Sequence, residues 1–314
     1  MLRYYTLRQH YRELFEFPVS KVCIDAGFTC PNRDGSKGTG GCIYCNERGS
    51  GAPSIHRELS VSEQLRQGVN KLRKHTGSPH YIVYFQAFTN TYADVSNLEE
   101  LYRSVIHAEG AVGLAIGTRP DCLDDEKLDL IAKLSGETYV WLEIGLETIH
   151  DRTLLAANRR HTYNDFLTAY KNAKSRGIRI CLHVIIGLPG ESREDIMETA
   201  RAVGQLEPDG IKIHSLYIES GTKLHDLYMK ESWPLFDRRE YCEIAAQFLE
   251  YLPPSTVIHR LVGEAISDRL FAPSWTKNKQ DVLRMINDTL IERNSRQGSL
   301  YSKNPVTLKA GTYE

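Results

Sequence analysis

Six short runs of apolar, often β-branched residues, separated by stretches of helical spacing, constrain this chain more than any other feature. The runs are Lys21–Asp25 (KVCID), Tyr81–Gln86 (YIVYFQ), Val112–Gly117 (VGLAIG), Tyr139–Ile144 (YVWLEI), Ile178–Ile186 (IRICLHVII) and Ile211–Tyr217 (IKIHSLY). Continuous apolar runs, unlike alternating ones, suit strands of a parallel sheet covered on both faces. Parallel neighbours need long crossovers, and the gaps supply them. Ser60-Val61-Ser62-Glu63 reads as a capping box opening a helix to about His75, and Asn97–Ala108, Asp124–Leu134, Tyr163–Arg176 and Ser192–Gln205 repeat Leu, Ile and Ala at helical spacing. Gly177 follows one of these as a helix stop. With strand starts recurring roughly every 27 to 60 residues, the expected fold is α/β, a partial parallel (β/α)6 barrel spanning 19–220. A basic, aromatic helix over 1–18 precedes it. A C-terminal α/β extension, 221–314, follows, with helices near Thr222–Lys230, Asp237–Tyr251 and Lys277–Arg293, a short strand at Thr256–Arg260 and a loosely ordered last stretch of about twenty residues.

No apolar run approaches the ~20 residues that a membrane-spanning helix needs. The first residues, MLRYYTLRQHYREL, are charged and lack the apolar stretch of a secretory signal. The expected compartment is therefore the cytoplasm, without a membrane partner. A net charge of −1 gives no global pull on nucleic acid, so any such binding rests on local patches.

Three of the seven cysteines fall within sixteen residues, in Cys30-x11-Cys42-x2-Cys45, inside a glycine-rich loop after the first strand. In a cytosolic chain such clustering favours metal or redox chemistry over disulfides. Three thiolates can hold three irons of a 4Fe–4S cluster and leave the fourth open to chelate a ligand's amino and carboxylate groups. A structural zinc site is the rival reading, with Cys23 as the fourth ligand. Cys122, Cys181 and Cys242 stand alone and read as small core residues.

Around this loop the chain resembles radical S-adenosylmethionine (SAM) enzymes, in particular the branch of the Elongator catalytic subunit and its small stand-alone bacterial members. The resemblance runs from about Val19 to Leu270. It is carried by Cys42-Ile43-Tyr44-Cys45, by Gly117-Thr118-Arg119-Pro120-Asp121, by Glu143-Ile144-Gly145-Leu146-Glu147, by Arg159-Arg160-His161-Thr162, and by His183-Val184-Ile185-Ile186-Gly187-Leu188-Pro189-Gly190. It implies a 4Fe–4S cluster on Cys30, Cys42 and Cys45, and SAM as cofactor. It also implies Tyr44, Gln86, Thr118, Arg119, Glu147, Arg159, His183, Gly187 and Leu188 as SAM contacts, and a flavodoxin- or ferredoxin-type electron donor. Parallel α/β barrels bind ligands at the C-terminal ends of their strands, and Cys30, Gln86, Thr118, Glu147, His183 and Gly187 are expected at or just beyond such ends. Arg159 could pair with the cofactor carboxylate, and Glu147 and Thr118 could bond its ribose or ammonium. Two departures stand out. Gln86-Ala87-Phe88 replaces the family's usual Gly-Gly-Glu, and the acetyltransferase part of Elongator is not expected here.

The resemblance also points to tRNA, at the wobble uridine, as substrate. Basic residues interleaved with aromatics at both chain ends suit phosphate contact and base stacking: Arg3, Tyr4, Tyr5, Arg8, Tyr11 and Arg12 at the start, and Arg293, Arg296, Tyr301, Lys303 and Lys309 at the end. The expectation is that these flank the barrel mouth. A small molecule such as a porphyrin precursor, which Arg159-x-His161 allows, and a zinc-stabilised RNA-binding protein remain as alternatives.

Overall fold

The computed structural model describes residues 2–49, 51, 55, 57–263 and 268–303. The six apolar runs form β1 (Ser20–Ile24), β2 (Tyr81–Phe85), β3 (Ala111–Thr118), β4 (Tyr139–Glu147), β5 (Ile180–Ile186) and β6 (Gly210–Ser215). Past β6 lie the two-residue β7 (Ile218–Glu219), then β8 (Val257–Arg260) and β9 (Leu270–Ala272). Strands β1 to β6 pair parallel in chain order, and β8 joins parallel to β6, so the extension adds a seventh strand to the curled sheet. The β7–β9 pair is a separate antiparallel ribbon.

The crossovers are helices whose ends follow local rules. Ser60 accepts from the Glu63 amide and opens α2 (Val61–Thr76). After α3 (Val95–Ile106) and α4 (Asp125–Ser135), a short α5 (Asp151–Ala156), too brief to show as a period in the sequence, carries the chain to α6 (Tyr163–Ser175). Reciprocal capping boxes start α6 at Thr162/Asp165 and α7 (Arg193–Leu206) at Ser192/Asp195. Gly177 takes φ +71°, beyond the end of α6, and its amide bonds to the Lys174 carbonyl at 3.0 Å.

The pleat sorts each strand into two faces. Val83, Phe85, Leu114, Ile116, Leu142, Ile144, Leu182 and Ile213 point outward and pack with helix residues such as Leu98, Tyr102, Ile131, Phe166 and Ile196 in one core. The inner face is divided along its length. At the N-terminal ends of the strands it is apolar: Ile82, Ala115, Trp141, Cys181 and Val257 cluster with Tyr11. Tyr11 belongs to α1 (Leu7–Leu14), and its buried ring lies edge-on to Tyr139 at 6.2 Å. His10 bonds to the Tyr139 hydroxyl at 2.6 Å. The helix thus plugs the floor of the barrel.

This corrects the expectation that the chain ends flank the mouth. The Tyr5 carbonyl accepts from the Ile258 amide on edge strand β8 at 2.8 Å, Tyr4 and Tyr11 are buried, and the Arg3 amide donates to Asn287. The stretch after the C-terminal helix Lys279–Glu292 returns to the same end. Gln297 is buried and donates to Pro253 and Thr256 carbonyls at 2.7 and 2.8 Å. Lys303 faces Glu207 at 3.5 Å, and Lys309 lies outside the described residues. The aromatics alternate with the basic residues because they fill the floor. Tyr11→Ala should therefore lower stability by about 3 kcal/mol, read as a fall of roughly 10 °C in the melting temperature of the iron-loaded protein. Leu155→Ala, at a side chain 72% exposed, should leave it nearly unchanged.

Candidate active site

At the opposite end, beyond the C-terminal ends of the strands, the loop from β1 folds over the barrel mouth. Cys30, Cys42 and Cys45 line one wall of a cavity of about 300 Å³. The loop is tightly wound. The Cys30 carbonyl accepts from the Arg33 amide at 2.8 Å, and the Cys42 carbonyl from the Cys45 amide at 3.0 Å. Gly41 takes φ +74°, and a Cβ there would meet the Arg33 guanidinium at 2.8 Å. Arg33 in turn donates to the carbonyls of Cys45 and Asn46 at 3.1 and 2.5 Å.

The facing wall comes from β3, β4 and the segment after α5. Arg159 is buried there, with its guanidinium 3.0 Å from Glu147 Oε1, 3.0 Å from the Gly145 carbonyl and 3.7 Å from Cys42 Sγ. A Cβ at Gly145 would run into Arg159 Nη2, so only glycine leaves room for this pair. Glu147 takes φ +69°, and Asn158 and Arg160, on either side of Arg159, take +53° and +61°. Such conformations cost on the order of 1 kcal/mol or more each and cluster at functional sites. Burial pushes the Glu147 carboxyl up from its ordinary value, against the pull of Arg159 and Arg119. His161, two residues past Arg159, is lowered to about 3 by burial and by Arg159 and Arg119, and is neutral.

The structure separates the sequence-predicted residues. Tyr44, Gln86, Thr118, Arg119, Glu147 and Arg159 line the cavity with the cysteines. Arg119 is already engaged, paired with Asp121 at 2.9 Å and donating to the Arg159 carbonyl at 2.7 Å, so it braces Arg159. The Thr118 hydroxyl shares a 2.6 Å bond with Thr91. Leu188 is buried with Ile43, Leu216 and Ile218 behind the cysteine loop, and Gly187 faces Phe236; neither lines the cavity. His183 also lines the cavity, but not from a strand end. It is in the middle of β5 and bonds to Glu143 at 3.0 Å, deeper in the barrel. Cys23 also belongs to that deeper layer: it sits in β1 opposite Tyr84 and lines the same cavity as the loop thiols.

That deeper layer is not visible as a site in the sequence. Glu143 accepts from Lys21 at 2.8 Å, from Lys212 and from His183, and Lys212 also donates to Tyr84 at 2.8 Å. Lys212 and His214 look like ordinary strand residues in the run IKIHSLY. The one signal that could find them is a lysine and a histidine at alternate positions of an otherwise apolar strand.

The residues of the mouth fit a thiolate-held cluster with a small zwitterionic ligand. Three thiols share one wall, a buried guanidinium and carboxylate face them, and Arg159 Nε and the Tyr44 hydroxyl are buried without partners. The described helices include none long and apolar enough to cross a membrane.

Comparison with known proteins agrees. The Radical SAM superfamily model matches 33–203 and the Radical_SAM C-terminal domain model matches 208–292. A Bacillus subtilis protein of uncharacterised function, YtqA, is 41% identical over 301 residues, covering 96% of this chain and 94% of its own. The tRNA uridine(34) acetyltransferase of Methanocaldococcus jannaschii is 29% identical over 164 residues, 51% of this chain and 30% of its own. Among solved structures, Elp3 of Methanocaldococcus infernus matches with a TM-score of 0.66 at 18% identity, over 89% of this chain and 64% of that one. A family model spanning more than half of the chain leaves one conclusion: it belongs to the radical SAM superfamily and is a radical SAM enzyme whose cofactors are a 4Fe–4S cluster and SAM.

Proposed function

We propose that this enzyme modifies tRNA at the C5 substituent of the wobble uridine, converting a carboxymethylaminomethyl group to an aminomethyl group. The observation that carries the reading is the match over half of this chain to a tRNA uridine(34) acetyltransferase. Removing the carboxymethyl part means oxidising the methylene between nitrogen and carboxylate, a change that acid–base groups alone cannot bring about. The carbon loses a hydrogen atom, then an electron to a one-electron acceptor such as an oxidised iron–sulfur centre. The resulting imine takes up water and parts into the aminomethyl group and glyoxylate. When bound, the reduced cluster and SAM supply a carbon radical that takes hydrogen from such a carbon.

The chain's own residues bind and orient. Cys30, Cys42 and Cys45 would hold three irons, with Arg33 and Arg159 keeping positive charge beside their sulfurs. Arg159 would pair with the SAM carboxylate through the edge that Glu147 leaves, and Glu147, Gln86 and Thr118 would bond the ammonium and ribose. Tyr44 would lie against the adenine. Exposed Arg160 and Lys223, beside the cysteine loop, are the candidates for phosphate contact, in place of the chain ends.

Reconstituted without air, the protein should carry about four irons and four sulfides. Cys42→Ala should lose the brown colour, and stoichiometric zinc without iron would sink the cluster assignment. Arg159→Ala should keep iron but weaken SAM binding about tenfold or more; an unchanged dissociation constant by calorimetry would remove Arg159 from that role. In cells, deletion should leave carboxymethylaminomethyluridine in place of its shorter product, as read by nucleoside mass spectrometry. Affinity for tRNA should fall steeply between roughly 50 and 200 mM salt, and less steeply in Arg160→Ala/Lys223→Ala. An unchanged wobble-nucleoside profile would redirect the search to a small-molecule substrate.

A further inference from the structure

One pleat below the mouth, four strands bring a belt of residues to the same level. Gly145 on β4 is in register with His183 on β5, His183 with Lys212 on β6, and Lys212 with Arg260 on β8. A bulge in β4 sets Glu147 beside Val184, the residue after His183, so the belt lies one step of β5, about 3.4 Å, below Glu147. Lys212 and His214 alternate along β6, and both line the cavity that the cysteines line.

Around Glu143 the charges of the described residues do not balance locally. Lys21 and Lys212 both pair with the one carboxylate of Glu143, which is fully buried. The third polar contact to that carboxylate comes from His183. Burial, opposed by Glu143, lowers Lys212 to about 8, so its ammonium is present at neutral pH. Burial and Lys212 lower His183 to about 4. Burial, Arg260 and His183 hold His214 well below its ordinary value, so both rings are neutral there. Two ammonium groups on one carboxylate leave a net positive charge where water is scarce, an expensive arrangement unless an anion joins it. His214 Nε2 is buried without a partner, and its ring centre lies 5.4 Å from that of His183.

We infer that Lys212 and His214, with Arg260 beside them, form an anion subsite that takes the carboxylate of the substrate, beneath and distinct from the place of the SAM carboxylate. Lys212 supplies the charge, His214 Nε2–H the second donor, and Glu143 with Tyr84 fixes the ammonium's position. The identity of the ligand rests on the function proposed above. A carboxymethylamino group would set its carboxylate on Lys212 and leave its methylene nearer the mouth, where the chemistry is. An aminomethyl product has no group to fill the subsite and would leave.

The test uses the iron-loaded protein saturated with SAM, so that the SAM carboxylate occupies its own place. The probe is N-methylglycine, which carries the same methylene carboxylate on a secondary amine and no nucleic acid. Calorimetry should show millimolar-range binding, weakened about tenfold or more in Lys212→Gln and restored in Lys212→Arg. Iron content and SAM affinity should stay within about twofold. In Lys212→Gln, Glu143 keeps Lys21 and His183, so no buried carboxylate is stranded. With tRNA bearing carboxymethylaminomethyluridine, KM should rise in Lys212→Gln by a similar factor. No N-methylglycine binding to the parent protein, or equal binding to parent and Lys212→Gln, would overturn the subsite. Binding that depends on Lys212 without any conversion of the tRNA would uphold the subsite and overturn the proposed substrate.

Discussion

A single carboxylate at the centre of the barrel ties its wall together. Glu143, on β4, accepts from Lys21 on β1, His183 on β5 and Lys212 on β6. Burial pushes its carboxyl up, but Lys21, Lys212 and the bond from His183 outweigh that and hold it well below the usual carboxylate range. An ion cluster of this kind is a weak source of net stability, because desolvation offsets the attraction. What it provides is position: four strands are referred to one point, and a shift of any one would strand a buried charge. The outer apolar face could hold the same sheet in several registers of side-chain packing, whereas the inner cluster accepts one.

The mouth is held in a different way, by backbone strain braced with hydrogen bonds. Glu147, Asn158 and Arg160 all adopt positive φ. Asn158 is locked by its side chain on the Gly41 carbonyl at 2.8 Å, and its own carbonyl accepts from Asn32 at 2.5 Å. The Arg159 carbonyl is held by Arg119. These bonds join the cysteine loop to the segment after α5, so the thiol wall and the guanidinium wall are set relative to each other by the fold and do not wait for a ligand.

Much of this is legible in the residues. The outer face announces itself because burial against helices demands apolar side chains, and all six runs are strands within a few residues of their expected limits. The cysteine loop is legible because thiols at that spacing have few other uses. The interior cluster is not, since Lys212 and His214 read as solvent-facing when only the period of two is visible, and nothing local says that the inward side of a barrel strand is polar. The basic–aromatic N-terminus misleads for the complementary reason. Aromatic rings interleaved with arginines suit a nucleic-acid surface and a plug equally, and only the pairing of Tyr5 with β8 decides between them. His183 reads as a strand-end residue because its motif runs on into a glycine turn; the strand continues to Ile186, and the turn comes only at Gly187.

The plugged floor gives the barrel a direction. With α1 and the stretch around Gln297 closing the N-terminal ends of the strands, the described residues leave the mouth as the way to the Lys212 belt, past the cysteine loop and the Glu147–Arg159 pair. A bound SAM would narrow that route further, so a substrate has to present a slender extension. A base still stacked in a helix cannot do so. An unpaired base turned out of its stack can, and a wobble base in an anticodon loop is unpaired already, which lowers the cost of extrusion. A C5 substituent then points ahead of the ring. The belt lies one step of β5 below the Glu147–Arg159 pair, so a short side chain that passes the mouth brings a terminal anion to Lys212, where a methyl group has no charge to place. Under the function proposed above, the charge of the belt therefore favours a side chain that ends in an anion over one that ends in a methyl or an amine.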